Sequence, residues 1–179
     1  MIDVQYCRQW SRHGKYPNEP FTHDQARRAY DTRTLYTALV GDKDRLNCFV
    51  ECNKDYVGVE FLDDKLREHI AYQFQERQAG RLFLSMAMRR TYVGESDTVS
   101  RGASFVFKED GSTVIYREDF VAGILERADT YMDVSQNWEV YPEFGDYSAL
   151  VRRQRERTWG DLWHNCFKAM GGELEGNYP

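Results

Sequence analysis

Four cysteines, four histidines and several close pairs of acids are the residues of this chain with chemistry to offer. Their spacing argues against most uses. Cys48-x3-Cys52 lacks the two-residue spacing of zinc knuckles, and no histidine stands near it in sequence. His164 and Cys166 lie two apart in a segment that reads as helix, so they face different ways. Cys48 and Cys52 fall on one face of a predicted strand, roughly 13 Å apart if extended, which is too far for a disulfide. Both read as plain core residues. No Gly-x-Ser-x-Gly is present, and no cysteine opens a predicted helix where its thiolate would be stabilised. Gly171-Gly172 lacks the strand–loop–helix setting of a phosphate loop. These residues imply neither metal nor cofactor.

Charged groups offer more. Acids cluster at Asp63, Asp64 and Glu68, at Glu95 and Asp97, at Glu109 and Asp110, and at Glu118 and Asp119. Paired carboxylates do acid–base work only when their surroundings separate their pKa values, and sequence alone buries none of these pairs. They read as solvated loops and strand ends. Arg152, Arg153, Arg155 and Arg157 form a basic run in an otherwise acidic chain. Guanidinium forks suit phosphate and carboxylate, so this run is the candidate anion-binding feature, although Glu156 dilutes it. His69 opens a strand and reads as a rim group.

The elements that must position these groups are mostly strands. Ile70-Tyr72-Phe74, Leu82-Leu84-Met86-Met88 and Phe105-Phe107 alternate with smaller or polar residues, the period of a sheet with unlike faces. Seven strands in sequential order are predicted over residues 33–118, near 35–40, 46–52, 56–62, 69–75, 82–93, 105–107 and 114–116. Lys108-Glu109-Asp110-Gly111 is a tight hairpin turn, because Asp-Gly supplies positive φ. Gly58 reads as a bulge or a close approach, and the long 82–93 run as a strand that bends or bridges two parts of the sheet.

Outside that span the pattern changes. Residues 1–20 hold Pro17 and Pro20 and read as an irregular arm, followed by a short helix capped by Thr22 or Asp24 and ending near Tyr30. Residues 121–127 fit a short helix or an edge strand. Ser135 to Tyr147 is rich in aromatics and reads as a lid over the sheet. Helices are expected after Asp146, through Leu150, Val151 and the arginine run, and again over Leu162, Trp163, Phe167 and Met170 up to Gly171-Gly172. The expectation is therefore an α+β single domain, 1–179, dominated by an antiparallel meander, with helices at both ends.

At 179 residues with 10 Phe, 12 Tyr and 4 Trp, the chain can bury a sizeable core. A net charge of −5 argues against nucleic-acid binding. The N-terminus lacks the basic start and apolar run of a signal peptide, and no apolar run approaches the roughly 20 residues of a membrane span. A cytoplasmic chain with reduced thiols is expected. With no catalytic motif, the expected function is a protein-binding domain that neutralises a toxin or enzyme in the bacterial cytosol, like an immunity protein in general character. Asp63, Asp64, Glu95, Asp97, Glu109 and Asp110 are its candidate contacts, since acidic loops can mimic a nucleic-acid substrate toward a basic partner. Two alternatives differ in class. One is a curved sheet or barrel holding a small apolar ligand, lined by Leu82, Leu84, Met86, Met88, Phe105 and Phe107. The other is an enzyme using an acid pair with His69 or an arginine of the basic run.

Overall fold

The computed structural model describes residues 3–42, 45–153 and 155. Its frame is one antiparallel sheet. The strands are β1 (Asp3–Ser11), β2 (Tyr16–Phe21), β3 (Tyr36–Asp42), β4 (Arg45–Asn53), β5 (Tyr56–Leu62), β6 (Glu68–Gln78), β7 (Arg81–Tyr92), β8 (Val99–Phe107), β9 (Ser112–Asp119), β10 (Ile124–Tyr131) and β11 (Trp138–Val140). Their spatial order is β10-β9-β8-β7-β6-β5-β4-β3-β1-β2, with β11 added to β7. The sheet is open, ending on β2 and β10. The seven predicted strands are β3 to β9, so the sequential meander holds. The count does not, since there are eleven strands among the described residues.

The four additional strands have identifiable causes. Pro17 and Pro20 sit in β2, an edge strand with one neighbour, where proline is tolerated. The predicted irregular arm is therefore a hairpin. β10 is exposed along its whole length, so its mixed apolar and polar residues show no alternation, and β11 is only three residues long. One α-helix, α1 (His23–Asp31), occurs among the described residues. Thr22 caps it by accepting from the Gln25 N–H, and the Gln25 side chain accepts from the Thr22 N–H in return. The helix expected after Asp146 does not form over residues 147–152, and Arg153 and Arg155 have 3-10 geometry. Asp146 instead accepts from the Ser148 N–H in a turn, and Leu150 is buried. The last predicted helix lies outside the described residues. No helix is long and apolar enough to cross a membrane, among the described residues.

One face of the sheet holds a continuous row of core residues across seven strands: Ala38, Val50, Val59, Tyr72, Ala87, Phe105 and Ile115, each the cross-strand partner of the next. All seven are buried. Segment 132–151 covers this face, as the aromatic density of Ser135 to Tyr147 implies. Tyr147 meets Tyr36 hydroxyl to hydroxyl at 3.2 Å, and Trp138 packs on Phe83. Cys48 and Cys52 are buried here as core residues. A register shift opposite Gln73 and Phe74 splits the predicted Leu82-Leu84-Met86-Met88 stripe. Leu82 and Leu84 point into the core, while Met86 and Met88 emerge half-buried on the other face.

That other face has the row Leu39, Phe49, Glu60, Ala71, Met88, Ser104 and Tyr116. Its cover is the outer half of the β1–β2 hairpin. Pairing of β1 with β3 stops at Cys7; beyond it Trp10 packs on Phe49, Arg12 reaches β4, β5 and β6, and Lys15 meets Asp97. The hairpin thus bends across the sheet and closes a small second core of Cys7, Trp10, Leu39, Phe49 and Leu62.

Candidate functional site

Two charged assemblies stand out, and both lie on or beside the face under the hairpin. The first is buried. Glu51, Glu60 and Glu68 come from three adjacent strands and converge on Arg12 at 3.6, 3.4 and 2.6 Å. Arg90 stands 3.4 Å from Glu68. The Glu60 side chain is only 5 % exposed, and burial pushes its pKa up to about 8. Arg12 opposes that rise, while the neighbouring Glu68 and Glu51 reinforce it. Burial also works against charge on Arg12, but the three carboxylates outweigh it and raise its pKa. Burial likewise pushes the Tyr56 phenol up, with Glu60 adding to the effect.

Gly58 explains how this group fits. A Cβ there would stand 2.6 Å from the Tyr56 hydroxyl and 3.1 Å from Glu60 Oε1. The mid-strand glycine is thus a close approach, with Tyr56 lying across it. The cluster can hold a proton on Glu60 near neutral pH. Sequence reasoning weighed acids adjacent in the chain and so missed Glu51, Glu60 and Arg12. The available signal was Glu60 itself, a carboxylate between Val59 and Phe61 in an otherwise apolar strand.

The second assembly is a cleft of about 430 Å3 at the end of the sheet where β5 passes into β6. Leu62, Asp63, Asp64, Arg67 and His69 form one wall, Arg89 to Tyr92 another, and Arg45 and Arg153 complete it. The 63–67 connection is rigidly built. Partial burial works against the Asp63 carboxylate, yet the backbone N–H groups of Arg67 and Lys65 and the Arg67 side chain hold its pKa below the ordinary range. Arg67 also donates to the Gly94 and Ser96 carbonyls and stacks on Tyr92. A register shift between Phe61 and Leu62 places His69 in a bulge. Burial and the nearby Arg153 guanidinium push its pKa down to about 4, with Arg89 adding to the effect. His69 Nδ1 is buried and has no hydrogen-bond partner among the described residues.

The structure separates the sequence-predicted contacts. Asp63, Asp64, Glu95 and Asp97 gather at the cleft end, where each pairs with a base: Arg67, Arg45, Lys65 and Lys15 respectively. Glu109 and Asp110 lie at the opposite end, in the β8–β9 turn. Glu109 is 3.6 Å from Arg77, and Asp110 accepts from the Ser112 N–H and hydroxyl. The predicted basic run divides too. Arg152 and Arg155 both engage Glu139 and the Ala149 carbonyl, whereas Arg153 stands over the Phe61 ring and lines the cleft. Arg157 lies outside the described residues. No group of three or more potential metal ligands is found among the described residues.

Comparison with known proteins leaves these sites to be read on their own terms: no family model matches the chain, no curated protein matches its sequence, and no solved structure matches its fold.

Proposed function

We propose that this chain is a non-catalytic protein-binding domain, of the kind that neutralises a toxin or enzyme in the bacterial cytosol by docking on it. The observation that carries the reading is β10. All eight of its residues are exposed, and it is an edge strand whose outer backbone groups have no neighbouring strand among the described residues. Five of the large exposed apolar side chains, Phe120, Val121, Ile124, Leu125 and Tyr131, fall on this strand and the turn leading into it. Such an edge can accept an added strand, its backbone giving affinity and alternate side chains giving specificity. The other edge is blunted by Pro17 and Pro20.

The partner we assign is a protein offering an extended segment with apolar side chains opposite Leu125 and Tyr131 and basic residues around it. The Asp110-Gly111 turn adjoins Tyr131, so Glu109 and Asp110 flank the strand, and the chain's net charge of −5 favours encounter with a basic partner. The acids of the cleft end remain candidate steering contacts. The test is affinity for the protein encoded beside this one, measured for wild type, Leu125→Lys and Tyr131→Lys. Both positions are exposed, so folding is preserved. Each lysine is expected to weaken the complex at least tenfold. No binding to that protein would sink the reading, and equal binding by wild type and variants would remove β10 from it. Sedimentation showing that wild type dimerises, and that the lysine variants do not, would make the occupant a second copy instead.

A further inference from the structure

We propose that the cleft between the β5–β6 connection and the end of β7 binds a phosphomonoester of a small molecule, or inorganic phosphate, with Arg153 and His69 as contacting groups. The site lies on β4 to β7, three strands from β10, and does not depend on the docking surface. Three features of the cleft carry the inference.

The wall is unbalanced in charge. Arg45, Arg67, Arg89, Arg90 and Arg153 line it against the carboxylates of Asp63 and Asp64, five cations to two anions. Arg67 is committed to Asp63 and to two backbone carbonyls, Arg45 to Asp64, and Arg90 stands 3.4 Å from Glu68. Among the described residues Arg153 forms no ion pair; its guanidinium lies 5.5 Å above the centre of the Phe61 ring. A contact with a ring and not with an acid leaves the N–H fork for a ligand, and such a fork suits bidentate recognition of phosphate.

His69 supplies the second feature. Its Nδ1 is buried and has no hydrogen-bond partner among the described residues. A buried polar atom without a partner is unfavourable unless something completes it. Burial, Arg153 and Arg89 hold the ring neutral, opposed by Asp63 and the Phe61 backbone. Tyr92 and Arg67 face the same cleft and are engaged with each other. A neutral imidazole nitrogen either accepts or donates, depending on tautomer. A phosphomonoester near pH 7 has both a protonated and an unprotonated form, because its second pKa is about 6. It can therefore meet Nδ1 in either tautomer while its other oxygens accept from guanidinium. Sulfate and carboxylate carry no O–H at this pH. The third feature is size: about 430 Å3 lies within the usual range of small-ligand sites, roughly 300–1,000 Å3.

The experiment is titration of the full chain at pH 7 and fixed ionic strength with inorganic phosphate, glycerol phosphate, sulfate and acetate. Calorimetry reads affinity, and the His69 ring resonances are followed by NMR. Saturable binding of inorganic phosphate or glycerol phosphate is expected, at least tenfold tighter than sulfate or acetate. The His69 pKa should rise by about one unit or more on saturation, because the added negative charge favours imidazolium. Comparing the two phosphates shows whether the site takes the free ion or its ester. His69→Asn and Arg153→Gln should each weaken binding at least tenfold, while Arg27→Gln, on the distant helix, should not. If His69→Asn fails to fold, Arg153→Gln at an exposed position decides. No saturable phosphate binding, sulfate binding equally well, or affinity unmoved by Arg153→Gln would each overturn the proposal.

Discussion

The two faces of the sheet are made from the same strands by opposite means. Under segment 132–151, neighbours such as Val59 and Tyr72 pair apolar side chain against apolar side chain in a dry layer. One residue along each strand, the alternate row brings Glu60 against Phe49 and Ala71 and closes over three carboxylates with Arg12, while Arg90 also reaches Glu68. The first face gains stability from area removed from water; the second must offset desolvated charge with pairing before it contributes anything. A sheet can therefore be well packed on both sides and still respond to pH on only one.

Substitutions can break that contrast, and the largest effect should come from the dry face. Phe74→Ala removes a fully buried ring and should lower stability by about 3–5 kcal/mol, by the same amount at pH 5 and pH 9 in denaturant unfolding. Arg12→Met should cost less, about 2 kcal/mol near neutrality, since Arg12 is half-exposed. Its cost should shrink toward pH 4 as the orphaned carboxylates take up protons. A loss that ignores pH would mean that Arg12 acts by packing alone.

Glu60→Gln sharpens the same point. Glu60 keeps its proton up to about 8 against an ordinary value of 4.5, so between those limits the folded chain binds a proton that the unfolded chain has released. The associated stability is complete below about 4.5 and is lost as pH climbs through about 8. The glutamine should therefore raise Tm by about 5 °C at pH 9 and change it little at pH 5. A variant that tracks wild type at every pH would show that Glu60 does not titrate in this window. Smallest of all, Lys65→Ala breaks a pair with the exposed Glu95 and should stay within about 0.5 kcal/mol.

These contrasts show what could be read from sequence and what could not. The central strands were legible because period-two alternation reports a sheet with one dry side, and residues such as Val50, Val59 and Tyr72 keep it. β1 and β2 were not, and β10 was legible only as one of two alternatives, a short helix or an edge strand over 121–127. Their side chains answer to an edge, a bend or solvent as much as to a core, and Pro17 and Pro20 exclude only interior strands. α1 was legible through its local cap at Thr22. The split of the methionine stripe was hidden, because one extra residue at a bulge reverses every side chain after it. The charged sites were hidden for a related reason. Arg12 is 48 residues from Glu60, and Arg153 reaches the cleft alone among its neighbours, so no spacing in the chain marks either assembly.

β7 has one further consequence. Its outer side is shared: β8 takes Met86 to Tyr92, while β11 takes Arg81 to Phe83. The aromatic cover is thereby sewn into the main-chain ladder, with extra stitches from Tyr141 N–H to the Gly80 carbonyl and Met132 N–H to the Gly111 carbonyl. Lifting it would rupture backbone hydrogen bonds as well as part side chains. Amide protons at Phe83 and Tyr141 should accordingly exchange only when the region unravels, which makes this cover a fixed roof and not a door.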